Sequence, residues 1–334
     1  MIEVTKTLVV VVLLAVAVST GMCSDWGYNP GAIGMLPKLT FGPVGIDAPD
    51  PSTTSTASSN PAGAVGLLDL GMNRVAEAEY GWMRFDDGPD VQMDVEFVTH
   101  PVGRGLLRVG RYGFSSSTER VPRALPDSHS YVSYHGSAYM LNYAEQSSRL
   151  RWGVSWYPQD DCATYLVSEA FDGRMYVAGW IEAESQFHGR AGVQYVASPQ
   201  LVVGGYYDHE QDRVTTHTHA GVFGRDTYQS HFWTGGMTWT PQRGTSLSLA
   251  YQYGTSQGVG LDETVRQWYV CGEQFLSPHW SVRLGEQDHA SMVGLGYYSS
   301  RAYATLSLSP NSLRRTEAYL GPADTLFLIA GISW

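Results

Sequence analysis

Apolar side chains recur at every second position for about 260 residues from Gly63 onward, and this alternation limits the chain to strand architectures. A strand repeats every two residues and a helix every 3.6, so one pattern cannot serve both. Val91, Met93, Val95 and Phe97 share one face, with Gln92, Asp94 and Glu96 on the other. The same split sets Leu247, Leu249, Tyr251 and Tyr253 against Ser246, Ser248, Ala250 and Gln252, and Trp152, Val154 and Trp156 against Arg151, Gly153 and Ser155. Only Gly63 to Ala78 is ambiguous between helix and strand. A one-residue slip would exchange the two faces throughout, so the register decides which environment each side chain meets.

After Val18 no segment approaches the 18 uninterrupted apolar residues of a spanning helix, so a membrane could be crossed only by a closed barrel. Composition favours that choice: 37 Gly, 21 Tyr and 10 Trp in 334 residues, with 16% charged, suit a pleated wall with aromatic girdles. The terminal run Thr325 to Trp334 places Leu326, Leu328, Ala330 and Ile332 opposite Phe327, Ile329 and Ser333, and ends on an aromatic. It resembles the last strand of bacterial outer-membrane β-barrels, a resemblance that makes Trp334 an assembly signal read by the barrel-assembly machinery. Turn residues separate the runs at Asp87 to Asp90, Tyr157 to Asp160, Asp172-Gly173, Ser198-Pro199, Pro241 to Gly244, Ser277-Pro278 and Pro310-Asn311. The expected fold is therefore all-β, an antiparallel transmembrane β-barrel of about 12 to 14 strands. A secreted soluble β-protein is the alternative. Against it, no repeat near 40 to 50 residues marks a propeller, and the β region is long for one sandwich.

Residues 1 to 24 read as a signal peptide, with Lys6 followed by the apolar run Leu8 to Val18 and a small-residue stretch; Cys23 is poorly placed for lipidation. Residues 25 to 63 are irregular and rich in Gly, Pro, Ser and Thr, an expected plug or linker, and residues 64 to 334 form the barrel. Lys6 and Lys38 are the only lysines, and a net charge of −11 argues against a nucleic-acid partner. Cys162 and Cys271 could pair or stay free, and spacing does not choose.

Just before the β region stands Asn60-Pro61-Ala62-Gly63. With the small-residue segment Gly31 to Met35 upstream, it resembles the "NPAG" element of the long-chain fatty-acid transporter (FadL) family. The resemblance covers about 40 residues of the chain. It implies a barrel occluded by its N-terminal segment, with apolar cargo passing a constriction shaped by Asn60, Pro61, Ala62 and Gly63. An Asn-Pro turn closing a Ser/Thr linker is the plainer reading of the same residues.

Three further patterns bear on chemistry. Gly254 to Gly258 fits the G-x-S-x-G elbow, but no helix follows it. His135 and Ser137 lie two apart on a strand, where base and nucleophile would share a face; the pair resembles that of outer-membrane lipid hydrolases but lacks their following Asn-Gly. His217 and His219 share a strand face and could chelate a metal, although no third ligand is evident and a solvated acidic loop explains them equally. Arginines within the strands should avoid the lipid face, where each costs about 2 to 4 kcal/mol near the midplane. Arg151 together with Asp94, Glu96, Glu182 and Glu184 is therefore expected to face the lumen.

The expectation is a channel or transporter in the bacterial outer membrane, in contact with its lipid, that passes small or apolar solutes without cofactor, metal or catalytic step. A barrel-embedded lipid hydrolase and a purely structural outer-membrane protein are the competing functions.

Overall fold

The computed structural model describes residues 60–69, 72–85, 90–116, 119–121, 130–169, 175–218, 221–242, 244–258, 261–287, 290–299, 301–312 and 323–334. The expected signal peptide and most of the expected linker lie outside them.

Fifteen strands follow one another in a single antiparallel sheet: β1 (Val75–Phe85), β2 (Val91–Val102), β3 (Gly105–Ser116), β4 (Glu119–Val121), β5 (Ser130–Ser147), β6 (Leu150–Glu169), β7 (Met175–Ser198), β8 (Leu201–Thr218), β9 (Gly221–Gln242), β10 (Thr245–Gly258), β11 (Leu261–Phe275), β12 (Trp280–Gln287), β13 (Ala290–Tyr298), β14 (Ala302–Ser312) and β15 (Ala323–Ser333). The sheet closes, because β1 pairs with β15 on one side and β2 on the other, while β3 pairs with β5. β3 and β4 run along the same edge of β5 as one interrupted strand, so the described ring has fourteen members. That closure leaves no exposed sheet edge, the condition a β-structure must meet in hydrocarbon.

The wall is inverted relative to a water-soluble protein. Val98, Val109, Leu141, Val154, Val193, Val203 and Met237 are exposed, whereas Arg108, Asn142, Ser155, Gln194, Thr234 and Thr238 are buried. Cross-strand partners share a face, so the outer set forms one belt: Val98 opposes Val109, Val109 opposes Leu141, and Val203 opposes Met237. The polar set faces inward, hydrogen-bonding across the interior. Along β15 the outward residues are Leu326, Leu328, Ala330 and Ile332, with Ile329 buried inside, as the alternation predicts.

Two expected turns are instead bulges. Tyr157 to Asp160 lies within β6, where the register against β5 shifts, and Pro310-Asn311 lies within β14 beside a shift against β15. A proline cannot donate to the ladder, and a bulge accommodates it without ending the strand. The ambiguous Gly63 to Ala78 divides into a 3₁₀ turn Pro61–Val65, one helical turn Gly66–Asp69 and the start of β1.

The wall is uneven. β5 to β9 run for 18, 20, 24, 18 and 22 residues, against 8 and 9 for β12 and β13. About 9 to 11 residues cross a bilayer, so β7 extends well beyond it. The short connections at 103–104, 148–149, 199–200 and 276–279 share one end with Trp334, whose N–H bonds Arg74 O at 3.3 Å; in outer-membrane barrels short turns mark the periplasmic end. Reading away from that end, the outer face of β7 to β9 passes from Val193, Val203 and Met237 to Tyr207 and Trp233, and then to Glu184 and Arg213. Apolar belt, aromatic girdle and water-exposed extension therefore stack in that order.

Candidate functional site

Asn60 to Leu67, just ahead of the first strand, lie buried inside the barrel, and their seat is built from backbone outward. Pro61 opens the 3₁₀ turn with its φ preset, and Asn60 caps it: the Ala62 N–H donates to Asn60 Oδ1 at 3.0 Å. The same side chain reaches the wall, where Asn60 Nδ2 donates to Val193 O and to Gly205 O, each at 3.2 Å. From the other side Asn142 Nδ2 lies 3.4 Å from Pro61 O, 3.2 Å from Val154 O and 3.0 Å from Ser155 Oγ. Asn60 through Leu67 are buried.

Two glycines make this approach possible. A Cβ on Gly153 would lie 2.6 Å from Pro61 C and O, and one on Gly192 would overlap Asn60 Oδ1. Gly153 and Gly192 are themselves cross-strand partners, so β6 and β7 together form a smooth seat. Beyond the seat the segment crosses the lumen: Leu67 and Met72 pack with Val75, Leu106, Tyr303 and Ile329 from β1, β3, β14 and β15, while Ala64 and Val65 pack on Ala144. The expected constriction residues Asn60 to Gly63 thus lie inside the barrel, docked on β5 to β8.

Polar clusters line the wall around this plug. Near the end with the short connections Arg108 Nη2 donates to Glu77 Oε1 at 2.8 Å, with both side chains almost fully buried and the guanidinium 4.7 Å from the Phe97 ring centroid. Above the seat, Arg190 Nε donates to Asp208 Oδ2 at 2.6 Å, and His188 Nε2 approaches Asp208 Oδ1 at 3.2 Å while its ring stacks on Tyr157 at 4.0 Å. On the far side Arg283 Nε and Ser281 Oγ both donate to Glu273 Oε1, and Tyr298 closes the group on Arg283. Breaking a buried pair of this kind is costly, because removing one partner strands the other charge.

Of the five expected lumen-facing polar residues, only Arg151 faces inward, donating to Gln146 Oε1 at 3.1 Å. Asp94 and Glu96 share a face with outward Val98, and Glu182 and Glu184 oppose Thr215 and Arg213 on the outer wall. The physical reason is that the wall rises above the hydrocarbon, where its outside is wet and ordinary polar-out alternation returns. Val95 and Phe97 are buried inside instead. Asp94 pairs with Arg111 at 3.5 Å and Glu184 with Arg213 at 3.6 Å, all more than half exposed, so these pairs contribute little.

The catalytic candidates are not assembled into a triad among the described residues. Ser137 lies on the outer face of β5, opposite Gly113 and Asp161, and the His135 side chain lies outside the described residues. Ser256 of the G-x-S-x-G run is buried within β10 and accepts from Tyr228 Oη at 3.3 Å, so the strand-to-helix elbow is absent. His217 bonds Glu182 Oε2 at 3.0 Å and stacks on Trp180, and His219 lies outside the described residues. Cys271 is half-buried on β11 with its Sγ 4.0 Å from Gly272 O, and the side chain of Cys162 lies outside the described residues.

No family model matches the chain, and no curated protein matches it by sequence. Solved structures do match by fold. The Pseudomonas putida toluene transporter TodX superposes with a TM-score of 0.54 at 11% identity, covering 84% of this chain and 95% of that one. A Pseudomonas aeruginosa FadL homologue gives 0.50 at 11% identity, covering 86% and 95%, and the CymD monoaromatic hydrocarbon channel gives 0.50 at 12%, covering 92% and 98%. The chain therefore shares the barrel fold of FadL-type hydrocarbon transporters, as the NPAG resemblance implied.

Proposed function

We propose that this chain is exported by its N-terminal signal, inserted in the bacterial outer membrane through its C-terminal strand, and acts there as a passive channel for small, hydrophobic solutes. The observation that carries the proposal is the plug: Asn60 to Leu67 and Met72 lie buried inside the closed barrel and are seated on its wall by side-chain and backbone contacts. A wall needed only for structure has no use for a segment that caps itself on Asn60 and docks over paired glycines. A plug suits passive uptake of apolar molecules, because it blocks free flow of water and ions while solutes that desolvate cheaply can pass packed side chains. The hydrocarbon channels of like fold support the same solute class.

The test is uptake by liposomes reconstituted with the folded barrel. Toluene and similar monoaromatics should enter faster than into empty liposomes, while ionic conductance stays low. Equal entry with and without protein would refute the proposal and favour a structural role. Lipid turnover lost on replacing Ser137 would instead establish the hydrolase reading.

A further inference from the structure

Outside the lumen, the upper aromatic girdle contains a pair of histidines that no transport step uses. His209 on β8 and His231 on β9 are direct cross-strand partners on the outer face, one step above the Tyr207–Trp233 pair. Their rings stack at 4.4 Å with planes 9° apart. We propose that they form a two-imidazole site for a divalent first-row transition ion, of which Cu²⁺ is the tightest-binding representative.

One nitrogen of each ring is already committed to a neighbour. His209 Nδ1 lies 3.0 Å from Ser230 O, and because a carbonyl only accepts, that nitrogen carries the proton and Nε2 keeps its lone pair. His231 Nδ1 lies 2.6 Å from Tyr207 Oη. The hydroxyl can accept from Nδ1, and in that tautomer Nε2 is a lone pair as well. Metal-ligating histidines are held in this manner, the distal ring nitrogen tied to a carbonyl or hydroxyl that fixes tautomer and orientation. No proton has to leave a neutral ring for the ion to bind.

Spacing also fits. Two nitrogens on one ion with bonds of about 2.05 Å are about 2.9 to 3.3 Å apart, and because the rings stack at 4.4 Å with planes 9° apart, each must turn about its Cβ–Cγ bond for the two lone pairs to converge on the ion. Phe187 at 5.6 Å from His209 and Tyr207 at 6.2 Å from His231 flank the pair, and both histidines are partly exposed, so an ion can reach them from the aqueous side. Water supplies the remaining positions.

The test is Cu²⁺ titration of the folded full-length barrel in detergent, read by electron paramagnetic resonance. The site predicts one ion with nitrogen couplings from two imidazoles. His209→Gln and His231→Gln should each weaken binding more than about 100-fold, and Tyr207→Phe about 10-fold, since losing an outer partner costs less than losing a ligand. His279→Gln, in the short connection at the other end, should change nothing. Heat-modifiable migration confirms that each variant is folded, and the coupling pattern of the unsubstituted barrel counts the imidazoles without any variant. A barrel that binds no ion at micromolar Cu²⁺, or one whose two-nitrogen signal survives either glutamine substitution, overturns the proposal.

Discussion

Replacing Asn60 with alanine tests the plug most sharply. Three contacts are lost together: the cap to the Ala62 N–H at 3.0 Å and the bonds to Val193 O and Gly205 O at 3.2 Å. A helix cap of this type contributes about 1 kcal/mol, and each wall bond contributes about 0.5 to 1 kcal/mol net, giving about 2 to 3 kcal/mol in all. The two carbonyls stay bonded in the sheet, so no buried acceptor is stranded and the barrel keeps its stability. The seat should therefore be vacated about 30 to 150 times more often, while Leu67 and Met72 still retain the segment. Single-channel recording in planar bilayers should show ionic openings at that higher frequency. Gly192→Ala should reproduce the effect, since its Cβ takes the space of Asn60 Oδ1, and the double variant should open no more often than the stronger single one. Openings at the native frequency in both single variants would refute the seat.

Other consequences follow from the same geometry. Arg108→Ala leaves Glu77 buried without its partner and should lower barrel stability by about 3 to 5 kcal/mol in urea unfolding, whereas replacing both residues with apolar ones of similar size should recover most of the loss. Val193→Arg, in the apolar belt, should cost about 2 to 4 kcal/mol by equilibrium folding into lipid, while Glu184→Arg, on the wet extension, should stay within about 0.5 kcal/mol. Deleting Trp334 should slow insertion into outer membranes in a cell-free assembly assay without preventing folding in detergent, because its side chain is exposed at the end of β15.

Fold class was legible in the sequence because strand alternation is local, and Leu326 to Ile332 displays it without tertiary context. Which face met which solvent was legible only where the strand stays within the hydrocarbon: Trp152, Val154 and Trp156 are outward as the pattern implies, but Asp94 and Glu182 lie above the belt, where the rule reverts. Height along the wall is a property of the closed barrel and not of any ten-residue window. Asn60 was visible as a motif, yet its seat was not, since Asn142, Gly153 and Gly192 converge on it from separate strands. Gly153 and Gly192 did carry a signal, because a glycine inside a strand of bulky residues often marks a close backbone approach. The buried pair Glu77–Arg108 carried none; its members are 31 residues apart and meet only across β1 to β3.

The central claim is that the outward stripe of this wall is solvated by acyl chains. Nitroxide labels placed one at a time from Arg190 to Tyr195 on β7, in reconstituted bilayers, measure it through collision with lipid-soluble oxygen and with a water-soluble nickel complex. Accessibility to oxygen should alternate with a two-residue period, high at Ala191, Val193 and Tyr195 and low at Arg190, Gly192 and Gln194. A profile without that period, or one in which Val193 meets the nickel complex more readily than oxygen, would place the stripe against water or protein and contradict the membrane barrel.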